Sequence, residues 1–575
     1  MQKIIPAILL TISTLLPYNL TVAQSKSAIP AEAQKAAKNV RPKTIEAHMR
    51  YLADDKLAGR KPGTPGYDLA AQYVEKQFIA LGFKPGVATP GGATAGGQNG
   101  TFRQAVPLRK AQVREEGSSL VMIRGGQAKG LTYGKHFIFS PNFGKPISEV
   151  TAPVVFVGFG VSAPELGYDD YAKIDVQGKI VACFNGAPAT FPSNQRAYSG
   201  SAKAEVAAAR GAVGLITFSL PTDVRARIEA NAPRNRQATY RWTDAKGQAQ
   251  RTFPQLAVVA SLGDSTARLM FDKAPKTFDE VRKAANLGQA QAFPLPVSFR
   301  AKTQTDLADG LVGENIVGLL PGSDPKLKDE YVVYVSHLDH LGVTPDRRTD
   351  PVKIAGTSAD SINNGAHDNA SGVAINLETA RLLASLPKAP RRSILFVAVT
   401  GEEMGLLGSD YFASNPTVPK ASIVANLCLD MPFFFHPLLD IVPYGSEHSS
   451  MKGAVESAAQ FVGVQIAKDP IPEQAVFMRS DHFSFVRQGI PAIYIKSGST
   501  TGDDRDGTKL NLDWRATIYH TPQDDMNQPF DWSAAARHVQ LQFLIGYLTA
   551  QADIRPVWNQ GDFFGTKFGP LTKGR

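Results

Sequence analysis

Four uninterrupted apolar runs in the second half of the chain constrain its fold more than any other feature of the sequence. Strands with such runs are covered on both faces, as in a mostly parallel sheet with helices packed on either side. Apolar residues at helical spacing over Ser371–Leu386 and Ala534–Leu548 supply helices for those faces. We therefore predict an α/β fold, a three-layer sandwich with a mostly parallel central sheet. The runs are Tyr331–Ser336, Ile394–Val399, Ile423–Leu429 and Ala492–Ile495.

A different sequence pattern precedes this region and predicts a second, smaller domain. Between about 150 and 290 the chain alternates short strand-like runs with a small-residue helix, and the polar stretch 231–251 reads as a surface excursion. A chain of 575 residues also exceeds the usual size of one domain. We predict a discontinuous catalytic domain at 41–149 and 291–555, an insert at 150–290, and a C-terminal tail at 556–575.

The first 23 residues have the features of a signal peptide. Lys3 precedes an apolar run over Ile4–Leu16, which is too short to span a bilayer, and the small residues Thr21 to Ala23 follow it. We predict cleavage after Ala23 and a periplasmic or secreted protein. No later apolar stretch has the length of a membrane span, so we expect no membrane anchor.

The charge and the cysteine content of the chain limit which partners and which metal ligands we expect. The formal net charge of +10 is modest for this length and the basic residues form no cluster, so we expect no nucleic-acid partner. Cys183 and Cys428 lie in strand-like runs of different predicted domains, which favours two buried free thiols over a disulfide. Two distant cysteines cannot form a Cys-type zinc site unaided. Any metal must therefore use histidine and carboxylate ligands.

Histidine and acidic residues recur where the predicted strands end. The carboxyl ends of parallel strands meet at one edge of an α/β sheet, which is where such folds bind ligands. The candidates are His337, Asp339 and His340 after the first run, Asp368 in a loop before a helix, Glu402 and Glu403 after the second run, Asp430 after the third run, and His520 in a late irregular segment.

This set of side chains suits a pair of divalent metal ions. Imidazole and carboxylate ligands together favour Zn²⁺ over Mg²⁺ or Ca²⁺. One carboxylate must bridge the two ions, which permits a separation of ~3.5–4 Å and a shared water. Of the adjacent Glu402 and Glu403, one can bind metal while its neighbour takes the proton from that water.

Six short motifs follow one another along the chain: His337-Leu338-Asp339-His340-Leu341-Gly342, Gly365 to Gly372, Gly401 to Ser409, Asn426 to Asp430, Ser480-Asp481-His482 and Tyr519-His520-Thr521-Pro522. Together they resemble metallopeptidase family 28, the aminopeptidase Y and bacterial leucyl aminopeptidase group. The resemblance runs over 315–548, with a weaker match at 45–86. The unit at about 150–290 resembles the protease-associated insert found in many of these enzymes.

The resemblance implies two Zn²⁺ ions as cofactors and a place for each ligand. Asp368 would bridge both ions. His337 and Asp430 would complete one site, and Glu403 and His520 would complete the other.

The resemblance also implies the catalytic residues. Glu402 would be the general base, and Asp339 would accept a hydrogen bond from the ring of His337 and fix its tautomer. The family often has a cis peptide after the bridging aspartate, here Asp368–Asn369.

Two positions depart from the family pattern. His367 stands before the bridging aspartate, where an acidic residue is usual, and we leave it out of the ligand set. Phe477 takes the place of a tyrosine that helps to stabilise the oxyanion in the family. The residue that stabilises the oxyanion in this chain therefore stays open, and metal polarisation of the substrate carbonyl would carry more of that stabilisation. Two roles stay open for Asp481 and His482: support of the metal site, or a structural hydrogen bond.

The activity that the resemblance implies is hydrolysis of the N-terminal residue from peptides with a free N-terminus. A carboxypeptidase of the glutamate carboxypeptidase type would share the ligands and the insert but needs a basic pocket for a terminal carboxylate, for which Arg479 is one candidate. A glutaminyl cyclase type uses one zinc, and a non-catalytic binding relative would usually have lost ligands, so the complete set of five argues against both. The insert has three open roles: a lid, a substrate filter or a homodimer surface.

Overall fold

A computed structural model describes residues 28–88, 100–219, 228–289, 291–344 and 360–569. The predicted signal peptide at 1–23 lies outside these ranges. No helix in the described part of the chain is long and apolar enough to cross a membrane.

The four apolar runs form neighbouring parallel strands, in the order Ser393–Val399, Tyr331–His337, Ile423–Cys428 and Ala492–Ser497. An antiparallel strand flanks them on each side, Ala292–Leu320 at one edge and Asp440–Tyr444 at the other. The predicted α/β fold with a mostly parallel central sheet is confirmed.

Helices cover both faces of this sheet. Because side chains alternate between the faces of a strand, Val332 and Tyr334 enter one core and Val333 and Val335 enter the other. The larger core lies under four long helices, Pro42–Leu52, Pro65–Ala80, Ser371–Ala384 and Trp532–Gln551. The opposite core lies under the shorter helices Leu407–Ser414 and His482–Val486, which bury Phe412 and Phe485.

Local sequence sets where the long helices begin. Thr64 caps one helix by accepting from the backbone N–H of Tyr67, and Pro65 occupies its first position, where no N–H is needed. Asp531 caps the C-terminal helix by accepting from the N–H groups of Ser533 and Ala534. These caps satisfy donors that the helix itself leaves without partners.

The strand Ala292–Leu320 joins the central sheet to a second set of strands. Its C-terminal part pairs with Ser393–Val399, while its N-terminal part pairs with Ile147–Val157. The sheet therefore continues into the predicted insert, where Ile180–Phe184, Gly214–Phe218 and Val258–Leu262 extend it in parallel.

The second region has its own core, rich in phenylalanine. Phe156, Phe184, Phe218 and Phe271 pack ring against ring at its centre. Side chains from 113–139, a stretch assigned above to the catalytic domain, also enter this core. The division of the chain at residue 150 stays a prediction.

The stretch 231–251, predicted as a surface excursion, is exposed or half-buried over most of its length, but it also contains a strand. Thr239–Trp242 is a strand that pairs with Arg103–Arg124, and the Trp242 ring is buried against the catalytic region. Its Nε1 donates to Asp410 at 2.8 Å. Four residues are too few for a periodic signal, and the partner strand lies more than a hundred residues away in the sequence. The preference for free thiols is confirmed, since Cys183 and Cys428 are both buried and unpaired.

The α-helices are Ala31–Ala37, Pro42–Leu52, Pro65–Ala80, Ser193–Ser201, Lys203–Ala209, Ile228–Asn235, Asp264–Phe271, Phe278–Asn286, Ser371–Ala384, Leu407–Ser414, Lys452–Val462, His482–Val486, Gly507–Thr517, Trp532–Gln551 and Phe563–Phe568. The strands are Lys84–Pro85, Arg103–Arg124, Gln127–Leu131, Phe137–Phe139, Ile147–Val157, Ser162–Ala163, Tyr168–Asp169, Ile180–Phe184, Gly214–Phe218, Thr239–Trp242, Val258–Leu262, Ala292–Leu320, Tyr331–His337, Gly342–Val343, Ile362–Asn363, Ser393–Val399, Ile423–Cys428, Asp440–Tyr444, Gln465–Ile466 and Ala492–Ser497.

Candidate metal centre

Three parallel strands deliver acidic and imidazole side chains to one edge of the sheet. His337 is the last residue of its strand and lies in register with Val399, so the turn that carries Glu402 and Glu403 begins at the same level. The third strand ends at Cys428, two residues before Asp430. The parallel register therefore brings these predicted residues together.

Asp368 lies at the centre of the candidate ligands. Its Oδ1 is 3.2 Å from Nε2 of His337, and its Oδ2 is 3.3 Å from Nε2 of His520. Nε2 of His337 is also 3.4 Å from Oδ1 of Asp430, and Nε2 of His520 is 3.0 Å from Oε2 of Glu403. The structure thus gathers all five predicted ligands and divides them into two groups that share Asp368.

The loop around Asp368 is held by main-chain hydrogen bonds. The Asp368–Asn369 peptide is cis, which confirms the implication of the family resemblance. The buried carboxylate of Asp524 accepts from the N–H groups of His367 and Asp368 at 2.8 and 2.9 Å. The buried guanidinium of Arg60 donates to the carbonyls of Leu338, at 2.9 Å, and Gly365, at 3.0 Å.

Neither Asp524 nor Arg60 was singled out from the sequence. Asp524 lies four residues after His520 in a polar segment, and Arg60 interrupts the helical region near the N-terminus. A lone aspartate or arginine in such a setting carries no signal, because its importance comes from backbone groups distant in sequence.

Asp339 contacts His337 through its main chain. Nδ1 of His337 is 3.2 Å from the carbonyl oxygen of Asp339 and 4.0 Å from the carboxylate. The carboxylate instead accepts from the N–H groups of Glu402 and Glu403 at 3.2 and 3.4 Å. The residue therefore orients the imidazole through its backbone, and its side chain positions the two glutamates.

Glu402 lines a small cavity that Asp368 and Asp430 also line. Burial and the neighbouring Glu403 raise the pKa of Glu402 well above its usual value, although His337 acts in the opposite direction. A raised pKa brings a carboxylate closer to the range in which it both accepts and returns a proton near neutral pH.

His340 is a further member of the cluster. It is buried, and its Nδ1 is 2.7 Å from Oε1 of Glu403. Ligand atoms of His340, Asp368 and Glu403 lie within 4.8 Å of one another, as do those of His337, Asp368 and Asp430. The motif string contains His340, but strand position alone did not distinguish it from His337.

His367 and Phe477 both pack in aromatic surroundings. The ring of His367 lies 4.9 Å from Trp514 and 5.0 Å from Phe435, centroid to centroid, and burial lowers its pKa well below the usual value. Phe477 packs 4.9 Å from the His448 ring. The aromatic rings that surround His367 fit its exclusion from the ligand set.

Asp481 and His482 are buried behind Asp430 and Tyr494. The Asp481 carboxylate is fully buried, and burial raises its pKa to about 7. Nε2 of His482 contacts the carbonyl of Phe477, and its ring lies 4.8 Å from that of Tyr494. His482 therefore has a structural contact, whereas the role of Asp481 stays open.

The donor set fits divalent metal ions. Nε2 of His520 lies 3.0 Å from Oε2 of Glu403 and 3.3 Å from Oδ2 of Asp368, so three donor atoms converge on one point as the ligands of a common ion do. Burial alone would lower the pKa of His337, but contacts with Asp368 and Asp430 raise it well above 6.5. Protons shared between imidazoles and carboxylates in this way are the ones that metal binding displaces.

The chain thus forms a three-layer α/β sandwich with histidines and carboxylates at the carboxyl edge of its parallel strands. Residues 315–545 match Peptidase family M28, and residues 150–263 match the PA domain. The region 315–545 is therefore similar to Peptidase family M28, and the inserted region is similar to the PA domain.

Individual relatives match over short stretches. Leupeptin-inactivating enzyme 1 of Streptomyces exfoliatus is 32% identical over 136 residues, 23% of this chain and 26% of the relative. A probable zinc metalloprotease of Pyrenophora tritici-repentis is 35% identical over 116 residues, 20% of this chain and 23% of the relative. The matched stretches span about a quarter of the length of these curated relatives. Among solved structures, the aminopeptidase from Aneurinibacillus sp. strain AM-1 is similar at 19% identity with a TM-score of 0.47, covering 91% of this chain and 96% of that one.

Proposed function

We propose that this protein is a zinc-dependent exopeptidase that removes the N-terminal residue from peptides. The observation that carries the proposal is the position of Asp368, whose two carboxylate oxygens each face a separate histidine and carboxylate pair. A single ion would need only one such pair, whereas a bridging carboxylate serves two.

In this proposal, His337, Asp430 and Asp368 hold one zinc ion, and Glu403, His520 and Asp368 hold the other. When bound, two zinc ions supply an activated water and polarise the scissile carbonyl. Glu402 takes the proton from the attacking water and then donates it to the leaving amine. Asp339 keeps the turn of Glu402 and Glu403 in place through its two accepted N–H bonds.

We also propose that the chain acts outside the cytoplasm, on peptides with a free N-terminus. The N-terminal sequence supports export, and a PA domain over 150–263 supports an accessory role for the insert in substrate access. A homodimer contact through the insert remains part of this proposal.

The test is a substrate panel offered to the mature protein with and without a chelator. It compares free-amine aminoacyl anilides, the same compounds after N-acetylation, and N-blocked dipeptides that end in an acidic residue. We expect cleavage of the free-amine compounds alone, abolished by chelator and restored by zinc. Failure to cleave any peptide substrate in zinc-loaded protein would refute the proposal.

A carboxypeptidase activity is the second candidate, because two arginines line the cavity beside Glu402. A carboxypeptidase needs basic groups that bind the terminal carboxylate of its substrate, and Arg479 and Arg515 are such groups. Cleavage of the N-blocked acidic dipeptides, with no cleavage of the free-amine anilides, would assign the protein to this type.

A further inference from the structure

The cavity at the candidate metal centre is lined by side chains of both charges. Asp368, Glu402 and Asp430 line it together with Arg479 and Arg515. Arg479 is exposed at the mouth and Arg515 is half-buried deeper in the wall. Two guanidinium groups therefore face the space that a substrate would enter.

Neither guanidinium has an ion-pair partner within the described residues. Nε of Arg515 donates to Oδ1 of Asn511 at 2.9 Å, and its guanidinium lies 5.4 Å from the Tyr519 ring centroid. The contact with Asn511 engages one of the five N–H groups of the side chain. It also fixes the direction of the guanidinium, so the remaining donors are ready to bind.

Arginines close by are paired with carboxylates. Arg487 contacts Asp410 at 2.7 Å, and Arg505 contacts Asp503 at 2.8 Å. Arg479 and Arg515 differ from these two arginines, because they line the cavity and make no ion pair within the described residues. A binding site for an anion accounts for this difference, because a carboxylate from a ligand would satisfy both guanidinium groups.

The charge balance of the proposed centre supports the same conclusion. Asp368, Glu402, Glu403 and Asp430 carry four negative charges when ionised, which two divalent ions would neutralise. Arg479 and Arg515 would then add two positive charges to the lining of the cavity.

A second, small cavity adjoins the first. It shares Gln474, Val476 and Arg515 with the first cavity. Lys496 lines it as well, and burial together with the charge of Arg515 lowers the pKa of Lys496 to about 7. Arg515 thus lies between the catalytic end of the cavity and a space for further substrate atoms.

We propose that Arg479 and Arg515 bind a substrate carboxylate within one residue of the scissile bond, so that the enzyme prefers substrates that carry a carboxylate at that position. This inference rests on the proposed peptidase function. The carboxylate has two sources, the side chain of an N-terminal Glu or Asp, or the C-terminal carboxylate of a dipeptide. Both present the planar, bidentate acceptor that arginine recognises.

The experiment uses two matched substrate pairs with zinc-loaded mature protein. Glutamyl and glutaminyl p-nitroanilide differ only in the side-chain carboxylate, and Leu-Leu and its C-terminal amide differ only in the terminal carboxylate. We expect kcat/KM to favour the acid over the amide by about tenfold or more in one pair, since a hydrogen-bonded charge contributes at least that factor. The pair that shows the preference identifies the source of the carboxylate.

Variants assign the preference to the arginines. Arg515→Gln and Arg479→Gln should each reduce the acid-to-amide ratio by roughly tenfold. Arg505→Gln is the matched control, because Arg505 pairs with Asp503 outside the cavity, and its ratio should equal that of the wild type. An acid-to-amide ratio near one in both pairs, with the amides still cleaved, would overturn the inference and leave the peptidase function intact.

A binding measurement tests the anion site separately from the peptidase function, including the case in which no substrate is cleaved. Glutarate should raise the melting temperature of the wild type and of Arg505→Gln, but not that of Arg515→Gln. If no substrate is cleaved, the peptidase proposal fails, while glutarate protection that depends on Arg515 would still support the anion site. Equal protection of all three proteins, or of none, would overturn that site.

Discussion

Asp368 is the residue on which the proposed chemistry depends. One oxygen faces His337 and the other faces His520, so the two groups of ligands cannot form separately. His337 and Asp430 follow buried strands, and this explains why the sequence located them. The direction of the Asp339 side chain was not predictable in the same way, because it is set by the turn that brings the N–H groups of Glu402 and Glu403 within reach.

Glu402→Gln tests the proposed proton transfer. The amide keeps the size of the side chain but cannot take a proton, so we expect turnover to fall by roughly 10²–10⁴-fold. Zinc content should match the wild type, because Glu402 is not among the proposed ligands. Glu473→Gln, on an exposed turn nearby, is the control and should retain full activity. Wild-type turnover in a zinc-replete Glu402→Gln protein would exclude this residue as the base.

The loop before the helix Ser371–Ala384 is the element that positions Asp368. Its sequence indicated a turn, but the clamp that holds it comes from Asp524, more than 150 residues later. Local sequence patterns do not reveal contacts between residues that lie so far apart in the chain. The strands themselves were predictable to within about two residues at each end, because a continuous apolar run is visible in the sequence without any knowledge of its partner.

Asp524→Asn tests this clamp. The carboxamide has only one acceptor oxygen, so it cannot accept from the N–H groups of both His367 and Asp368 with separate oxygens. We expect the affinity for zinc to fall by about 10–100-fold, the usual effect of losing a group that orients a ligand. Competition with a chromogenic chelator measures this, with the neighbouring Asp525→Asn as the control, since Asp525 bonds to its own turn and is not in contact with the loop. Equal affinities in the two variants would mean that the loop does not need the clamp.

At the scale of the whole molecule, the catalytic region and the PA domain share one sheet through Ala292–Leu320. This continuity was not predictable, because the strand alternates polar and apolar residues along much of its length and its partners lie far apart in the sequence. A second connection runs through Asp410. Its carboxylate accepts from Nε1 of Trp242, at 2.8 Å, and pairs with the mostly buried guanidinium of Arg487, at 2.7 Å.

Asp410→Ala tests whether this connection stabilises the assembled molecule. The change leaves a buried guanidinium without its partner and an indole N–H without an acceptor, so we expect the free energy of unfolding to fall by about 3–5 kcal/mol. Asp309→Ala removes an exposed partner of Arg109 and should lower it by less than about 1 kcal/mol. Urea titrations of both variants measure the difference. Similar losses in the two proteins would show that Asp410 has no special role.

The central claim is that two zinc ions bind on either side of Asp368. Diffraction from crystals of the zinc-loaded protein, recorded at the zinc absorption edge, locates the ions directly. We predict two anomalous peaks, one between His337 and Asp430 and the other between Glu403 and His520, each in contact with one oxygen of Asp368. A single peak, or two peaks that do not both contact Asp368, would contradict the two-metal account.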